Sequence, residues 1–296
     1  MFSLSECIIW FAACLVVAVA IVTVNLLSII LFIKNSNLRT RGMYLVINLT
    51  IADMLVGGIC TAIYMPFVNT SIGCKTVIVR LPWEVNMINR FILLWFPLTS
   101  LTNIAVISLD RMHATFRPFK HRVVKKWVYG VTISVVWVLT GMISTAIVLL
   151  LLFDKEWLNH VYLWQSYCLL CIFVICACYA SIIVKIFCGV RPQHHGAARR
   201  QRKLTVTLLI MTIVSVLFWL PYSVATLVYY TTDSIRSLSH TKTIRLSLSL
   251  VLLFYTNSFV NPVVYSFRMP DFRKALLLLF TRRQRQNAAV FHLHAR

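Results

Sequence analysis

The stretch VVKKWVYGVTISVVWVLTGMISTAIVLLLL, residues 123–152, decides the fold. After its two lysines it runs to the end without a charged side chain. An α-helix rises 1.5 Å per residue, so this run is long enough to cross the ~30 Å hydrocarbon core of a bilayer. Residues 123–152 therefore predict a membrane-spanning helix.

Six other segments share this length and apolar character. The sequence is 59% hydrophobic and 12% charged, with a mean hydropathy of +0.81, which is more apolar surface than a soluble domain can bury. The segments are too long for barrel strands and do not alternate between polar and apolar residues. We therefore predict an all-α membrane protein, a seven-transmembrane-helix bundle. Its other spans are expected near residues 7–33, 42–68, 80–112, 160–188, 203–230 and 243–267.

The distribution of lysine and arginine predicts the orientation. If the N-terminus is extracellular and the C-terminus cytoplasmic, 22 of the 29 basic residues fall on the cytoplasmic side, in agreement with the positive-inside rule. This bias and an affinity for anionic membrane lipid account for the net charge of +21, so nucleic acid is not an expected partner. We predict a transmembrane domain over residues 1–281 and a short basic cytoplasmic tail over residues 282–296.

Polar side chains at mid-membrane depth form a first candidate site. The carboxyl group of Asp53 lies about twelve residues, roughly 18 Å, above the inner end of the second segment, where a charge is costly and points to a function. Hydroxyl and amide groups of the third and seventh segments share that depth. Their oxygen atoms suit a small hard cation, and they equally suit a hydrogen-bonded cluster without an ion. The set comprises Asp53, Ser100, Asn257, Ser258 and Asn261.

Three short motifs mark the third, sixth and seventh segments. Asp-Arg at 110–111 ends the third segment and places an arginine at the cytosolic boundary. In FWLPY, residues 218–222, Pro221 removes a backbone hydrogen bond and kinks the helix. In NPVVY, residues 261–265, Pro262 loosens the helix again. These kinks and polar groups indicate a helix bundle that can rearrange.

In this order and spacing, the motifs resemble those of the rhodopsin-like (class A) G-protein-coupled receptors. The resemblance extends over almost the whole chain. FRMPDFRKAL, residues 267–276, is similar to the family's short amphipathic eighth helix. The matching positions are Asn25, Asn48 and Asp53, Asp110-Arg111-Met112, Trp137, Tyr179, FWLP at 218–221 and NSFVNPVVY at 257–265.

The resemblance implies a plasma-membrane receptor, not an enzyme, that transduces an extracellular ligand signal to a heterotrimeric G protein. Arg111 would engage the G protein while Asp110 restrains it, and Trp219 would respond to the ligand. The Asp53 cluster coincides with the family's sodium site, so the one cofactor considered is an allosteric sodium ion. Tyr179 and Tyr265 would close the active arrangement. The coupling and activation residues are expected to be Asp110, Arg111, Phe119, Tyr179, Trp219, Pro221, Asn261, Pro262 and Tyr265.

Several positions depart from the family pattern. Asn86 replaces the usual disulfide cysteine at the outer end of the third helix, and Cys171 replaces the usual proline of the fifth. These departures are similar to melanocortin receptors and to related lipid and adenosine receptors. Gln201 stands where many members carry an acidic residue that pairs with the arginine at the end of the third helix, which predicts measurable activity without ligand.

The resemblance also implies a ligand pocket. Leu93 occupies the position of the amine-binding aspartate of aminergic receptors, and Tyr255 that of the retinal-binding lysine of opsins. Neither a protonated amine nor retinal is therefore expected, and a small molecule such as a nucleoside, a lipid or a small peptide stays open. The pocket is expected to be largely apolar with a few hydroxyls. Its predicted residues are Leu93, Leu94, Pro97, Trp219, Tyr222, Ser223, Thr226, Val251 and Tyr255.

Three other functions stay open. A transporter or channel would also explain Asp53, but the sequence shows no inverted repeat. An intramembrane enzyme would need a catalytic group, whereas all eight histidines fall at helix ends or in loops and are expected to be solvated. A binding receptor of the same fold that does not signal is the nearest rival. On the outer side, Cys7 and Cys74 could form a disulfide, and Asn69 begins a glycosylation sequon.

Overall fold

Seven helices long and apolar enough to cross a membrane follow one another in the computed structural model. It describes residues 3–38, 42–64, 82–153, 158–188, 196–232, 237–268, 272–279 and residue 281. The predicted all-α seven-helix bundle is confirmed. The helices, called first to seventh below, are Leu4–Lys34, Met43–Tyr64, Trp83–Phe116, Lys126–Phe153, Asn159–Cys188, Gly196–Thr231 and His240–Arg268.

Two helices extend beyond the ends that the apolar pattern predicts. The sixth begins at Gly196 rather than at residue 203, and the third ends at Phe116 rather than at residue 112. Hydropathy marks where the bilayer ends, whereas the helix itself continues as long as the residues favour it. Alanine, arginine, glutamine and lysine, which fill residues 197–203, are good helix formers in water.

The third helix lies at the centre of the bundle. It packs against the second, fourth, fifth and sixth helices, and its middle part, from Phe96 to Ala105, is buried throughout. Large apolar side chains on the outer faces of the bundle are exposed instead, for example Val16, Phe173 and Leu217. These exposed apolar side chains suit a protein whose outer surface faces lipid, because apolar side chains have no reason to avoid lipid.

A buried polar chain joins the second, third and fourth helices. Trp137 Nε1 donates to Asn48 Oδ1 at 2.9 Å, and Asn48 Nδ2 donates to Asn103 Oδ1 at 2.7 Å. Trp95 Nε1 in turn donates to the Trp137 carbonyl at 3.1 Å. A polar group without a partner is costly in an apolar medium, so each of these bonds favours one relative arrangement of the helices.

The second helix contains a π-helical turn over Val56–Cys60. Its first glycine, Gly57, faces the first helix so closely that an added Cβ would lie 2.4 Å from Ile21 Cγ2. Only a residue without a side chain fits there. The turn therefore lies where the second helix packs tightly against the first.

The predicted amphipathic eighth helix is present over residues 272–279. Phe272 and Ala275 are buried, and the Phe272 ring lies 5.6 Å from that of Phe32, while Arg273 and Lys274 are exposed. The predicted tail, residues 282–296, lies outside the described residues.

Candidate functional site

Asp53 lies in a fully buried polar cluster between the second, third and seventh helices. Its Oδ1 accepts hydrogen bonds from Ser100 Oγ at 2.7 Å and from Ser258 Oγ at 2.9 Å. Its Oδ2 accepts a bond from Asn261 Nδ2 at 2.6 Å. The structure thus brings four of the five residues of the predicted sodium set into direct contact.

The cluster has unused oxygen atoms. Asn257, the fifth residue of the set, is buried, and its Oδ1 has no hydrogen-bond partner among the described residues; the same holds for Asn261 Oδ1. A buried acceptor without a donor is costly and usually indicates a missing water or ion. A carboxylate, two hydroxyls and two unpaired amide oxygens are ligands that a hard cation accepts. The residues present therefore fit a sodium ion.

Asp110 and Arg111 form a second cluster, near the C-terminal end of the third helix. Arg111 is 2% exposed, and its Nη2 makes an ion pair with Asp110 Oδ2. The other carboxylate oxygen, Asp110 Oδ1, lies 3.0 Å from His121 Nε2 and accepts a hydrogen bond from Tyr129 Oη at 3.2 Å. Side chains from three elements therefore hold this carboxylate. They are Arg111 of the third helix, His121 of the loop helix Pro118–Val123 and Tyr129 of the fourth helix.

His121 corrects one expectation from the sequence. All histidines were expected to be solvated, but the His121 side chain is only 13% exposed and contacts Asp110. The loop helix Pro118–Val123 places His121 next to the end of the third helix. The composition of a short loop does not predict this position. The same helix leaves the Phe119 side chain 81% exposed.

The fifth and sixth helices are linked at Tyr179. This buried tyrosine accepts a hydrogen bond from Thr212 Oγ1 at 3.2 Å. Tyr265, its predicted partner in the active arrangement, belongs to the seventh helix, but its side chain lies outside the described residues.

Trp219 lies in an aromatic stack between the fifth, sixth and seventh helices. Its ring centroid is 4.4 Å from that of Phe254 and 6.2 Å from that of Trp164. Pro221 and Pro262 both lie inside their helices, as predicted. A displacement of Phe254 or Trp164 would therefore act on the sixth helix close to Pro221.

A cavity of about 210 Å³ opens above this stack. Six of the nine predicted pocket residues line it: Leu93, Leu94, Tyr222, Thr226, Val251 and Tyr255. The other lining residues were not predicted and are Tyr64, Ile147, His160, Val161, Trp164, Tyr230 and Phe254. None of the lining side chains is an aspartate, glutamate, lysine or arginine.

Three predicted pocket residues do not line the cavity. Trp219 is covered by the Phe254 ring, so it forms the support beneath the cavity rather than its wall. Ser223 is buried, and its carbonyl accepts a 2.5 Å hydrogen bond from Gln165 Nε2. Pro97 is buried within the third helix. The prediction placed these residues by helix depth, which does not specify which face of a helix points inward.

Three of the seven cavity residues that the sequence does not predict, His160, Val161 and Trp164, lie at the beginning of the fifth helix. His160 lies in the first turn of this helix, and its ring is 5.9 Å from that of Tyr230, whereas the sequence predicts a helix-end residue exposed to water. Trp164, one turn further on, could have been found from the one-turn spacing between the two residues.

Near the beginning of the first helix, Cys7 is disulfide-bonded. Its predicted partner, Cys74, and the predicted glycosylation site, Asn69, both lie outside the described residues. Near Cys7, Glu6 makes an ion pair with Arg245, which connects the N-terminal ends of the first and seventh helices.

Comparison with known proteins matches residues 24–265 to the family described as 7 transmembrane receptor (rhodopsin family). The chain is 24% identical to the somatostatin receptor type 1 of Rattus norvegicus, over 90% of this chain and 70% of that receptor. It is 25% identical to the somatostatin receptor type 5 of Bos taurus, over 85% and 70% respectively. It is 26% identical to the neuropeptides B/W receptor type 1 of Rattus norvegicus, over 82% and 78%. By name, none of these three is a melanocortin, adenosine or lipid receptor, so they add no support to that finer resemblance.

Proposed function

The chain belongs to the rhodopsin family of seven-transmembrane receptors, and from this premise we propose that it transmits an extracellular ligand signal to a heterotrimeric G protein. The N-terminus is extracellular and the C-terminus cytoplasmic in this proposal, because that orientation places most of the basic residues inside the cell. The observation that carries the proposal is the buried Asp110–Arg111 pair at the inner end of the third helix.

The ion pair defines a resting state, which ends when the contact between Asp110 and Arg111 is broken. Arg111 is held by a neighbouring carboxylate, and that carboxylate is itself held by His121 and Tyr129. An arginine freed from this contact can turn toward the centre of the inner face, where a partner helix could bind. Ligand binding in the outer cavity would move the Trp219 stack, and the sixth helix, which contains Pro221, would carry this movement inward.

The same mechanism explains a role for sodium. We propose that the ion binds the Asp53 cluster in the resting state through the carboxylate, the hydroxyls of Ser100 and Ser258 and the unpaired oxygens of Asn257 and Asn261. Because the cluster joins three helices, an ion bound only in one arrangement stabilises that arrangement by mass action.

The cavity supports an uncharged ligand group. Its lining carries aromatic rings, hydroxyls and one imidazole but no carboxylate, ammonium or guanidinium group. At about 210 Å³ it is smaller than the ~300–1,000 Å³ that holds a drug-sized molecule. We propose that a short peptide inserts one or two neutral side chains, a proposal that agrees with the neuropeptide receptor among the relatives. A small neutral molecule is the second candidate.

Arg111→Ala tests the proposed function. Membranes containing the receptor and a purified G protein should bind a non-hydrolysable GTP analogue without added ligand, in proportion to receptor density. The variant should lose this activity and keep its surface expression. Arg90→Ala is the matched control, because it removes an exposed arginine from the outer half of the same helix.

Two results would contradict the proposal. Unchanged nucleotide exchange in Arg111→Ala would show that this arginine does not couple the receptor to the G protein. No exchange by the wild type with any G-protein class would instead favour a binding receptor that does not signal.

A further inference from the structure

Gly42 immediately precedes the second helix and lies against the resting Arg111. An added Cβ on Gly42 would overlap Arg111 Nη2, would lie 3.0 Å from Arg111 Cζ and would lie 3.1 Å from Asp110 Oδ2. The guanidinium of Arg111 therefore lies in the space that a side chain at residue 42 would fill.

The backbone does not require glycine at this position. Gly42 has φ −67° and ψ −12°, in the right-handed helical region that every L-residue adopts. Glycine is needed here for the space it leaves and not for its conformational freedom. That space is filled by the one side chain that the proposed coupling mechanism must hold and release.

We propose that Gly42 is a positioning residue: the space left by its missing side chain holds the Arg111 guanidinium in the resting state, and this space is called the seat below. This inference rests on the proposed function, because it concerns the resting state of the same arginine. Asp110 attracts the guanidinium, and the bare α-carbon of Gly42 lets the guanidinium come close enough to pair with Asp110 Oδ2.

The two partners respond differently to an added methyl group. The Asp110 carboxylate is held on its other side by His121 and Tyr129, so it cannot easily follow. The Arg111 guanidinium is the far end of a long flexible side chain and can turn away without a change in the backbone. A methyl group at residue 42 therefore displaces Arg111 from Asp110 and leaves the backbone in place.

Gly42→Ala should raise ligand-free nucleotide exchange about five-fold at equal surface expression, which is the effect expected from the loss of one partly buried ion pair. Asp110→Asn, which weakens the same pair directly, should raise it by a similar factor, and Gly42→Ala should add little in that background. Gly130→Ala is the matched control, because an added Cβ there meets no atom within 4 Å, and it should leave the exchange rate unchanged. An increase with Asp110→Asn but not with Gly42→Ala would overturn the inference.

A thermal measurement separates this inference from the proposed function. Lysine ends in a single Nζ and lacks the Nη2 atom that meets residue 42, so Arg111→Lys removes the overlap without needing a signalling assay. Gly42→Ala should lower the melting temperature of the purified receptor by roughly 2–4 °C in the wild type and leave it unchanged in the Arg111→Lys background. Equal effects in both backgrounds, or no effect in either, would overturn the inference even if the receptor proved not to signal. If Gly42→Ala alone yields no folded protein, recovery of folded protein in the double variant supports the seat, and failure of both variants overturns it.

Discussion

Replacing Asp53 by asparagine removes the charge from the proposed sodium site with little change in shape. The asparagine carbonyl can accept from Ser100 and Ser258 as Asp53 Oδ1 does now. The new amide nitrogen would face Asn261 Nδ2, but Asn261 Oδ1 has no partner in the described part of the chain. A rotation of the Asn261 amide therefore restores the third hydrogen bond. Asp53→Asn keeps the hydrogen bonds and loses only the charge.

The expected size of the effect follows from mass action. An ion that binds only the folded resting state raises the unfolding free energy by about 1.4 kcal/mol when its concentration is about ten times its dissociation constant. For a chain of this size, each kcal/mol changes the melting temperature by roughly 2–4 °C. The wild type should therefore melt roughly 3–6 °C higher in sodium chloride than in potassium chloride of equal concentration, and Asp53→Asn should show no difference between the two salts.

Melting of the purified receptor in detergent, followed by tryptophan fluorescence, measures this difference. In potassium chloride, Asp53→Asn should melt at or above the wild-type temperature, because it no longer buries a carboxylate without a counter-ion. Ser144→Ala is the control, because this buried hydroxyl has no hydrogen-bond partner among the described residues and lies in the fourth helix. It should keep the sodium response. An equal sodium response in Asp53→Asn, or none in the wild type, would refute the site.

Three further predictions concern other parts of the receptor. Gln201→Glu should lower ligand-free nucleotide exchange about five-fold, because it supplies the sixth helix with a carboxylate for Arg111; unchanged or higher exchange would exclude that explanation of basal activity. Asn48→Leu should lower stability by about 1–3 kcal/mol in thermal unfolding, because it leaves the Trp137 indole and an Asn103 oxygen without partners, and a cost below about 0.5 kcal/mol would contradict this. Phe119→Ala should weaken G-protein binding about ten-fold with no change in melting temperature, since the ring is exposed; a lower melting temperature would show a folding role instead.

The fold could be predicted because a bilayer imposes one length and one chemistry on every span. The length of the apolar run is enough to predict each of the seven spans, residues 123–152 among them. The ends of the helices could not be predicted in the same way, since residues 197–203 are both strongly basic and good helix formers. Hydropathy indicates where a helix leaves the lipid, but it does not indicate how far the helix extends into water.

The polar cluster around Asp53 could be predicted from depth, because buried oxygen groups at one level of a bundle must find each other. The cluster around Asp110 and Arg111 could not be predicted in this way. His121 belongs to a short loop helix whose direction the sequence does not specify, and Tyr129 is one aromatic residue among many. The role of Gly42 could not be predicted from the sequence either, because it depends on which side chain occupies the space that glycine leaves.

The π-helical turn at Val56–Cys60 makes the outer half of the second helix sensitive to chain length. Such a turn accommodates one residue more than an α-helix, so every residue beyond it is rotated by about 100° from its uninterrupted position. Tyr64, which lines the outer cavity, lies beyond it. Loss of a single codon at Ile59, an exposed position, would restore the regular helix and rotate Tyr64 off the cavity wall. A one-residue deletion far from any ligand contact could therefore change which ligands the protein accepts, and aligning this segment with relatives that have a regular second helix requires a gap.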